Sequence, residues 1–350
     1  MTRYHSALVA GMLSGLLTAC GPSSDSAPPR PEEARPKIGL LMDTLQAEER
    51  WQRDRDLFLE RAKQLRADVL VEAAERDDAK QLQQAESLLA QNVQVLVVVP
   101  HSAEAGARIV EAAKKRSPPV PVISYDRLIL NADVDLYVSY DNRRVGELQA
   151  QSLRNEAPKG PYILLGGAPT DHNAKLIREG QMTALEDAVK RGDIRIVADP
   201  WTPDWRAEEA EALTQAALKK AGGKVVAVVA SNDTTAGGAI KALEAQGLAG
   251  KVLVSGQDAN LDAVRRIVAG TQTMTVYKPI SPLARGAAQA AVQMAKGEKV
   301  EGTSTVSNGT KQVQAILFTP IAVHRNLIDQ VIISDKFHTR EQVYGTAGGK

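Results

Sequence analysis

Side chains able to hold small polar groups recur in this chain just beyond short apolar runs. Arg50 and Trp51 follow "KIGLLMD", Asp126 and Arg127 follow "VPVISY", and Asp141 and Asn142 follow "DLYVSY". Further along stand Asp171, Asn173 and Lys175, then Trp201 and Trp205, Asn232 and Asp233, Gln257 and Asp258, and Lys278. Carboxylates and amide oxygens accept hydrogen bonds, Arg, Lys and amide N–H groups donate them, and indole offers a flat apolar face. That combination suits a neutral polyol, whose hydroxyls both donate and accept while its C–H face lies on an aromatic ring. Helix capping explains an Asn or Asp at any one of these places. It does not explain so many in succession.

Other chemistries lack their residues. "DANLD", 258–262, alternates acids and an amide like the start of a calcium loop, but Ala263 stands where the turn needs Gly and Ala269 where a bidentate Glu belongs. The five His residues show neither HExxH nor paired spacing, so no metal is expected. "GGAPTD" and "TTAGGAI" are Gly-bearing turns, not GxGxxG or Walker loops, and there is no GxSxG elbow or Ser/His/Asp set. The reading is a binding protein without cofactor, not an enzyme.

The elements that would position these residues fall into two series. Runs at 37–42, 68–74, 93–100, 120–125 and 135–140 are β-branched and largely unalternating, as befits strands buried on both faces of a parallel sheet, and helical patterns separate them. The scheme restarts at 162–167, 194–199, 225–230, 252–256 and 273–277. Two such βαβ series predict two similar α/β lobes with doubly wound parallel sheets. A helix near 282–297 and strands at 312–319 and 330–334 complete both sheets, so the chain crosses between lobes more than once through a multi-strand hinge. The expected lobes are 37–141 with 278–318 and 142–277 with 319–342, followed by a tail, 343–350. Ligands of such sheets sit at the carboxyl ends of the strands, facing the cleft.

With 350 residues, 43% hydrophobic and 24% charged, the chain has the balance of a globular protein of about two domains. Once residues 1–20 are set aside, basic and acidic residues balance at 42 each, which gives no footprint for nucleic acid. Residues 1–20 carry Arg3 and an apolar stretch from Ala7 to Leu17, too short for a permanent membrane span and typical of a secretory signal. It ends in "LTAC", which resembles the bacterial lipoprotein box, with Cys20 as the residue to be lipidated. Cys20 is the only cysteine, so no disulfide forms within the chain. The Pro- and Ser-rich stretch 21–36 reads as an extended tether.

"ERWQRDR", "YDR", "NAK", "VASNDTTAGGAI", "SGQDAN" and "AGTQTMTVYKP" closely resemble the type I periplasmic sugar-binding proteins of ABC importers, and among them the D-xylose-binding members. The resemblance runs from about Lys37 to about Phe337. It implies that Arg50, Trp51, Asp126, Arg127, Asn173, Trp205, Asn232, Asp258 and Lys278 contact a pentose, with Trp51 and Trp205 on opposite faces of the ring. It also implies an extracytoplasmic protein that closes two lobes on a monosaccharide, D-xylose or a related aldose, and delivers it to an ABC transporter permease. The alternative is a sugar-sensing module that presents the loaded form to a histidine kinase or chemoreceptor. The lipobox and tether depart from the freely periplasmic members of the family and imply a membrane-anchored lipoprotein.

Overall fold

A computed structural model describes residues 35–46 and 49–345. Cys20, the tether up to residue 34 and the tail beyond 345 lie outside the described residues. The chain begins with β1 (Lys37–Met42), α1 (Glu49–Gln64), β2 (Asp68–Ala73), α2 (Asp78–Ala90), β3 (Val95–Val98), α3 (Ala103–Lys114), β4 (Val122–Tyr125) and β5 (Leu136–Tyr140). It continues with α4 (Asn142–Glu156), β6 (Gly160–Leu165), α5 (His172–Lys190), β7 (Ile194–Ala198), α6 (Ala207–Lys220), β8 (Ala227–Ala230), α7 (Asp233–Glu244), β9 (Leu253–Val254), α8 (Leu261–Ala269) and β10 (Met274–Tyr277). It ends with α9 (Ile280–Ala295), β11 (Ser304–Ser307), β12 (Gln312–Phe318), β13 (Ile321–His324) and α10 (Arg340–Tyr344).

Seven strands form the first sheet in the order β11-β12-β5-β4-β3-β1-β2, parallel except for the antiparallel β11–β12 pair. Four form the second, parallel in the order β7-β6-β8-β9, while β10 and β13 make an antiparallel pair tied to it by the bridge between Gln257 and Val276. The unalternating apolar runs now have a cause, because both faces of each sheet are covered. In β1, Ile38, Leu40 and Met42 pack toward α1 and α9, whereas Leu41 joins Leu88 and Ile109 on the other side. In β6, Ile163 and Leu165 meet the α6 and α7 side, and Tyr162 and Leu164 the α4 and α5 side. Each fully buried Leu or Ile of this kind contributes about 1.5–3 kcal/mol. The chain passes between lobes after β5, β10 and β12.

The segment expected as a strand at 330–334 is instead a helical turn, Asp329–Ile333. Its β-branched run suggested a strand, but the fully buried residues are Ile328 and Ile332, the four-residue spacing of a helix face. The strand that pairs with β10 lies earlier, at β13, and the edge strand β11 was not foreseen. Among the described residues no helix is long and apolar enough to cross a membrane.

Two glycines matter to the site. Gly146 in α4 and Gly180 in α5 face each other's helix, and a Cβ on either would collide with the opposite backbone, at the Ile177 and Arg143 carbonyl oxygens respectively. Their lack of a side chain allows close packing of the helices whose first turns carry Asn142 and Asn173.

Candidate functional site

All nine residues implied by the resemblance line one cavity between the two lobes, together with Asn142, Asp171, Ile177 and Gln257. Seven arrive at strand-to-helix junctions, and Asp126 and Arg127 in the loop from β4 to β5. Arg50 and Trp51 open α1, Asp126 and Arg127 leave β4, and Asn173 lies in the first turn of α5, behind the N-cap Asp171, which accepts from the Asn173 N–H at 2.9 Å. Asn232 caps α7, its Oδ1 accepting from Thr235 N at 2.8 Å. Capping thus occupies the amide oxygen of Asn232 and leaves the NH2 group to donate elsewhere, so the two readings of this residue are compatible.

At the centre is a buried ionic cluster. Arg50 Nη2 donates to Asp126 Oδ2 at 2.9 Å, and Arg50 Nη1 to Asp258 Oδ1 at 3.1 Å. Lys278 Nζ lies 3.3 Å from the same Asp258 oxygen and 3.9 Å from Asp126 Oδ2. Burial alone would raise the Asp126 carboxyl, but Arg50, Lys278 and Arg127 overcome it and hold the group below the usual carboxylate range. Burial would likewise lower Arg50, yet Asp126, Asp54 and Asp258 raise it well above its ordinary value. Asp54 is the counterweight: burial pushes it up to about 6 against the pull of Arg50 and of the hydrogen bond from Tyr125.

Arg127 joins the walls on the other side. Its Nη1 donates to Asp43 Oδ2 at 2.6 Å, and its Nε lies 3.2 Å from Asp171 Oδ2 of the second lobe. Asp43 in turn lies 2.9 Å from His101 Nδ1. Burial would raise the Asp43 carboxyl, but Arg127 and His101 bring it below the ordinary range. Asn173 reaches across from the second lobe, its Nδ2 donating to the Asp126 carbonyl at 3.0 Å. Asp126 itself has φ 61°, a left-handed value fixed by Tyr137 and Ser139, whose hydroxyls donate to that same carbonyl.

The two tryptophans come from opposite lobes. Trp51 is only 2% exposed and belongs to the first-lobe core as well as to the cavity wall, with the Arg50 and Arg127 guanidinium carbons 4.4 and 5.6 Å from its ring centroid. Its Nε1 is buried without a partner. Trp205 sits in a tight turn after β7, over Gly167, where any Cβ would collide with the indole. Trp201 packs over Gly166 and is not a wall of the cavity.

Of the residues outside the nine, Asn142, Asp171 and Gln257 are strand-end candidates of the sequence pattern that the resemblance left out, and they line the cavity. Asn142 and Gln257 each keep a buried amide oxygen without a partner beside the cavity. Asp43 and His101 also follow apolar runs, those of β1 and β3, and the same rule would have found them. Ile177 carries no polar signal; its place four residues after Asn173 on α5 puts it on the same helix face. Lys175 and Asp141 do not line the cavity; Asp141 is the N-cap of α4. Asp233 faces away from it, into a buried network described below. Among the described residues no group of three or more His, Cys, Asp or Glu side chains could hold a metal ion.

The periplasmic binding protein domain model matches residues 38–299. A D-xylose-binding periplasmic protein of Haemophilus influenzae is 50% identical over 308 residues, covering 88% of this chain and 92% of that protein. The D-xylose-binding periplasmic protein of Escherichia coli is 47% identical over 307 residues, with the same coverage of 88% and 92%. Among solved structures, a carbohydrate transporter solute-binding protein from Chloroflexus aurantiacus in complex with D-glucose superposes with TM-score 0.81 at 31% identity, covering 87% of this chain and 97% of that one. With two doubly wound lobes, a multiply crossing hinge and a cavity between the strand ends, the chain has the type I fold and belongs to the periplasmic binding protein family.

Proposed function

We propose that this protein is a solute-binding lipoprotein that captures an aldopentose, D-xylose first, between its lobes and delivers it to the permease of an ABC transporter. The observation that carries the reading is the convergence of Arg50, Asp126, Asp258 and Lys278 with Trp51 and Trp205 on one cavity, in a chain half identical to proteins named for D-xylose binding. The nine residues are proposed as the sugar contacts. Arg50, Asp126, Asp258 and Lys278 orient one another, so a sugar meets a preorganised set and little ordering is spent on binding. Its hydroxyls would bridge carboxylates and guanidinium groups, and the two indoles would clamp the ring faces.

The binding act has no chemical step, so a change in lobe separation is the useful event. Arg50–Asp258, Arg127–Asp171 and Asn173–Asp126 each span the cleft, and a ligand joining both walls would favour the closed form that a permease reads. The lobes are proposed as 37–141 with 278–318 and 142–277 with 319–342, Cys20 as the lipid-bearing residue, and the body as extracytoplasmic. A thermal-shift screen of pentoses and hexoses tests the sugar class. D-xylose should raise the melting temperature most; a rise with an unrelated solute alone would overturn the reading.

A further inference from the structure

The turn from Gly256 to Asn260 carries Asp258 to the cavity along an unfavourable backbone. Asp258 has φ 91° and Ala259 φ 52°, left-handed values that residues with a Cβ avoid unless their surroundings over-determine them. Every part of the turn is held. Gln149 Nε2 donates to Gly256 O at 3.1 Å, Asp258 N to Val276 O at 2.9 Å, Ala259 N to Thr275 Oγ1 at 3.2 Å, and His338 Nε2 to Ala259 O at 2.8 Å.

The remaining hold is Asp233, 1% exposed, in the first turn of α7. Its Oδ2 accepts from Asn260 N and Thr275 Oγ1, both at 3.0 Å, and its Oδ1 from Gln272 Nε2 at 2.8 Å. Its own N–H donates to Gln257 O at 3.0 Å. A Cβ at Gly256 would collide with Asp233 Oδ1, so the turn is seated directly on the carboxylate. Asp233 is not a wall of the sugar cavity.

We infer that Asp233 is a positioning residue, which fixes the 256–260 turn in its left-handed course and thereby aims Asp258 at Arg50 and Lys278. Three donors converge on its two oxygens, so only a carboxylate satisfies them. Burial pushes this carboxyl up to about 7 against Arg266 and Gln272, which makes a buried acid a poor choice for mere filling. Asparagine would set an amide donor against Asn260 N–H and Thr275 or against the Gln272 amide, and the turn would shift. Thr275→Val is the gentler variant, since it keeps shape and removes only the hydroxyl shared by Asp233 and Ala259.

The affinity readout rests on the D-xylose reading of the cavity. Asp233→Asn and Thr275→Val, in the full chain, are titrated with D-xylose alone and combined with Asp258→Asn. Each should weaken binding roughly tenfold, the worth of one charged hydrogen bond, and add little once Asp258 is neutral, because residues acting through one group are not additive. Unchanged affinity, or a loss as large in the Asp258→Asn background, would overturn the inference. If Asp233→Asn does not fold, Thr275→Val carries the cycle. If the unaltered protein gives no signal with D-xylose, the sugar reading fails by itself; the same cycle read in sugar-free thermal unfolding then decides, coupled midpoint shifts supporting the positioning role and additive ones refuting it.

Discussion

Arg50 Nη1, on the first lobe, lies 3.1 Å from Asp258 Oδ1, on the second. One guanidinium therefore ties the two walls of the cavity while its other arm holds Asp126. A buried pair of this kind stabilises little, since the loss of hydration offsets most of the attraction. Its value lies in aiming both charged groups at whatever sits between the lobes. Asp258→Asn keeps the shape and removes the charge, and calorimetry should show D-xylose affinity falling by roughly ten- to a hundredfold. Unaltered affinity would mean that Asp258 serves only Arg50.

Trp51 and Trp205 should separate by stability. Trp51 lies in the first-lobe core, so Trp51→Ala should cost about 3–5 kcal/mol of stability as well as weaken binding. Trp205 is only partly buried. Trp205→Ala should lower sugar affinity with a small change in unfolding midpoint, and Trp201→Ala should leave affinity nearly unchanged.

Gly167→Ala tests the indole's seat without touching it. The added methyl overlaps the Trp205 ring, so the indole must leave its place. Tryptophan emission of the sugar-free protein should shift, and D-xylose affinity should fall about as far as in Trp205→Ala. Identical spectra and affinity would show that the ring has another seat.

His101 supplies the pH signature. Its hydrogen bond to Asp43 raises its ordinary value of 6.5, against burial and Arg127. The folded state then holds the proton more tightly than the unfolded one. The stabilisation is complete below pH 6.5 and is lost as the pH rises through the higher folded value. Thermal unfolding between pH 6 and 8 should therefore fall more steeply for the unaltered protein than for His101→Gln. Parallel curves would contradict it.

Much of this was legible because the strands of a covered parallel sheet announce themselves. "VQVLVVV" has no polar residue on either face after Gln94 because β3 has none exposed. The strand-end rule then delivers Asp126, Asn173 and Asn232 without further knowledge. It was less useful where burial is partial: Ser304–Ser307 is an edge strand with no buried residue and gives no apolar run, and Ile321–His324 has only Val323 buried and offers three apolar residues straight after Pro320. Nor does "GQDAN" disclose its course, since the left-handed residues in it are Asp258 and Ala259, not its glycine. That conformation is imposed by Asp233, Thr275 and His338, remote in sequence and visible only after folding.

The proposed lipidation of Cys20 has its own test. Cys20→Ser should abolish lipid labelling and release the protein in soluble form, with D-xylose affinity unchanged. Equal labelling of both forms would refute the lipobox reading.

The most direct measurement is calorimetric titration of the protein with D-xylose, L-arabinose, D-ribose and D-glucose under one set of conditions. D-xylose should bind at one site per chain and more tightly than each of the others by about tenfold or more, the discrimination that a buried hydrogen-bonding set gives against a misplaced or additional group. Absence of heat with D-xylose, or tighter binding of D-glucose, would contradict the pentose assignment.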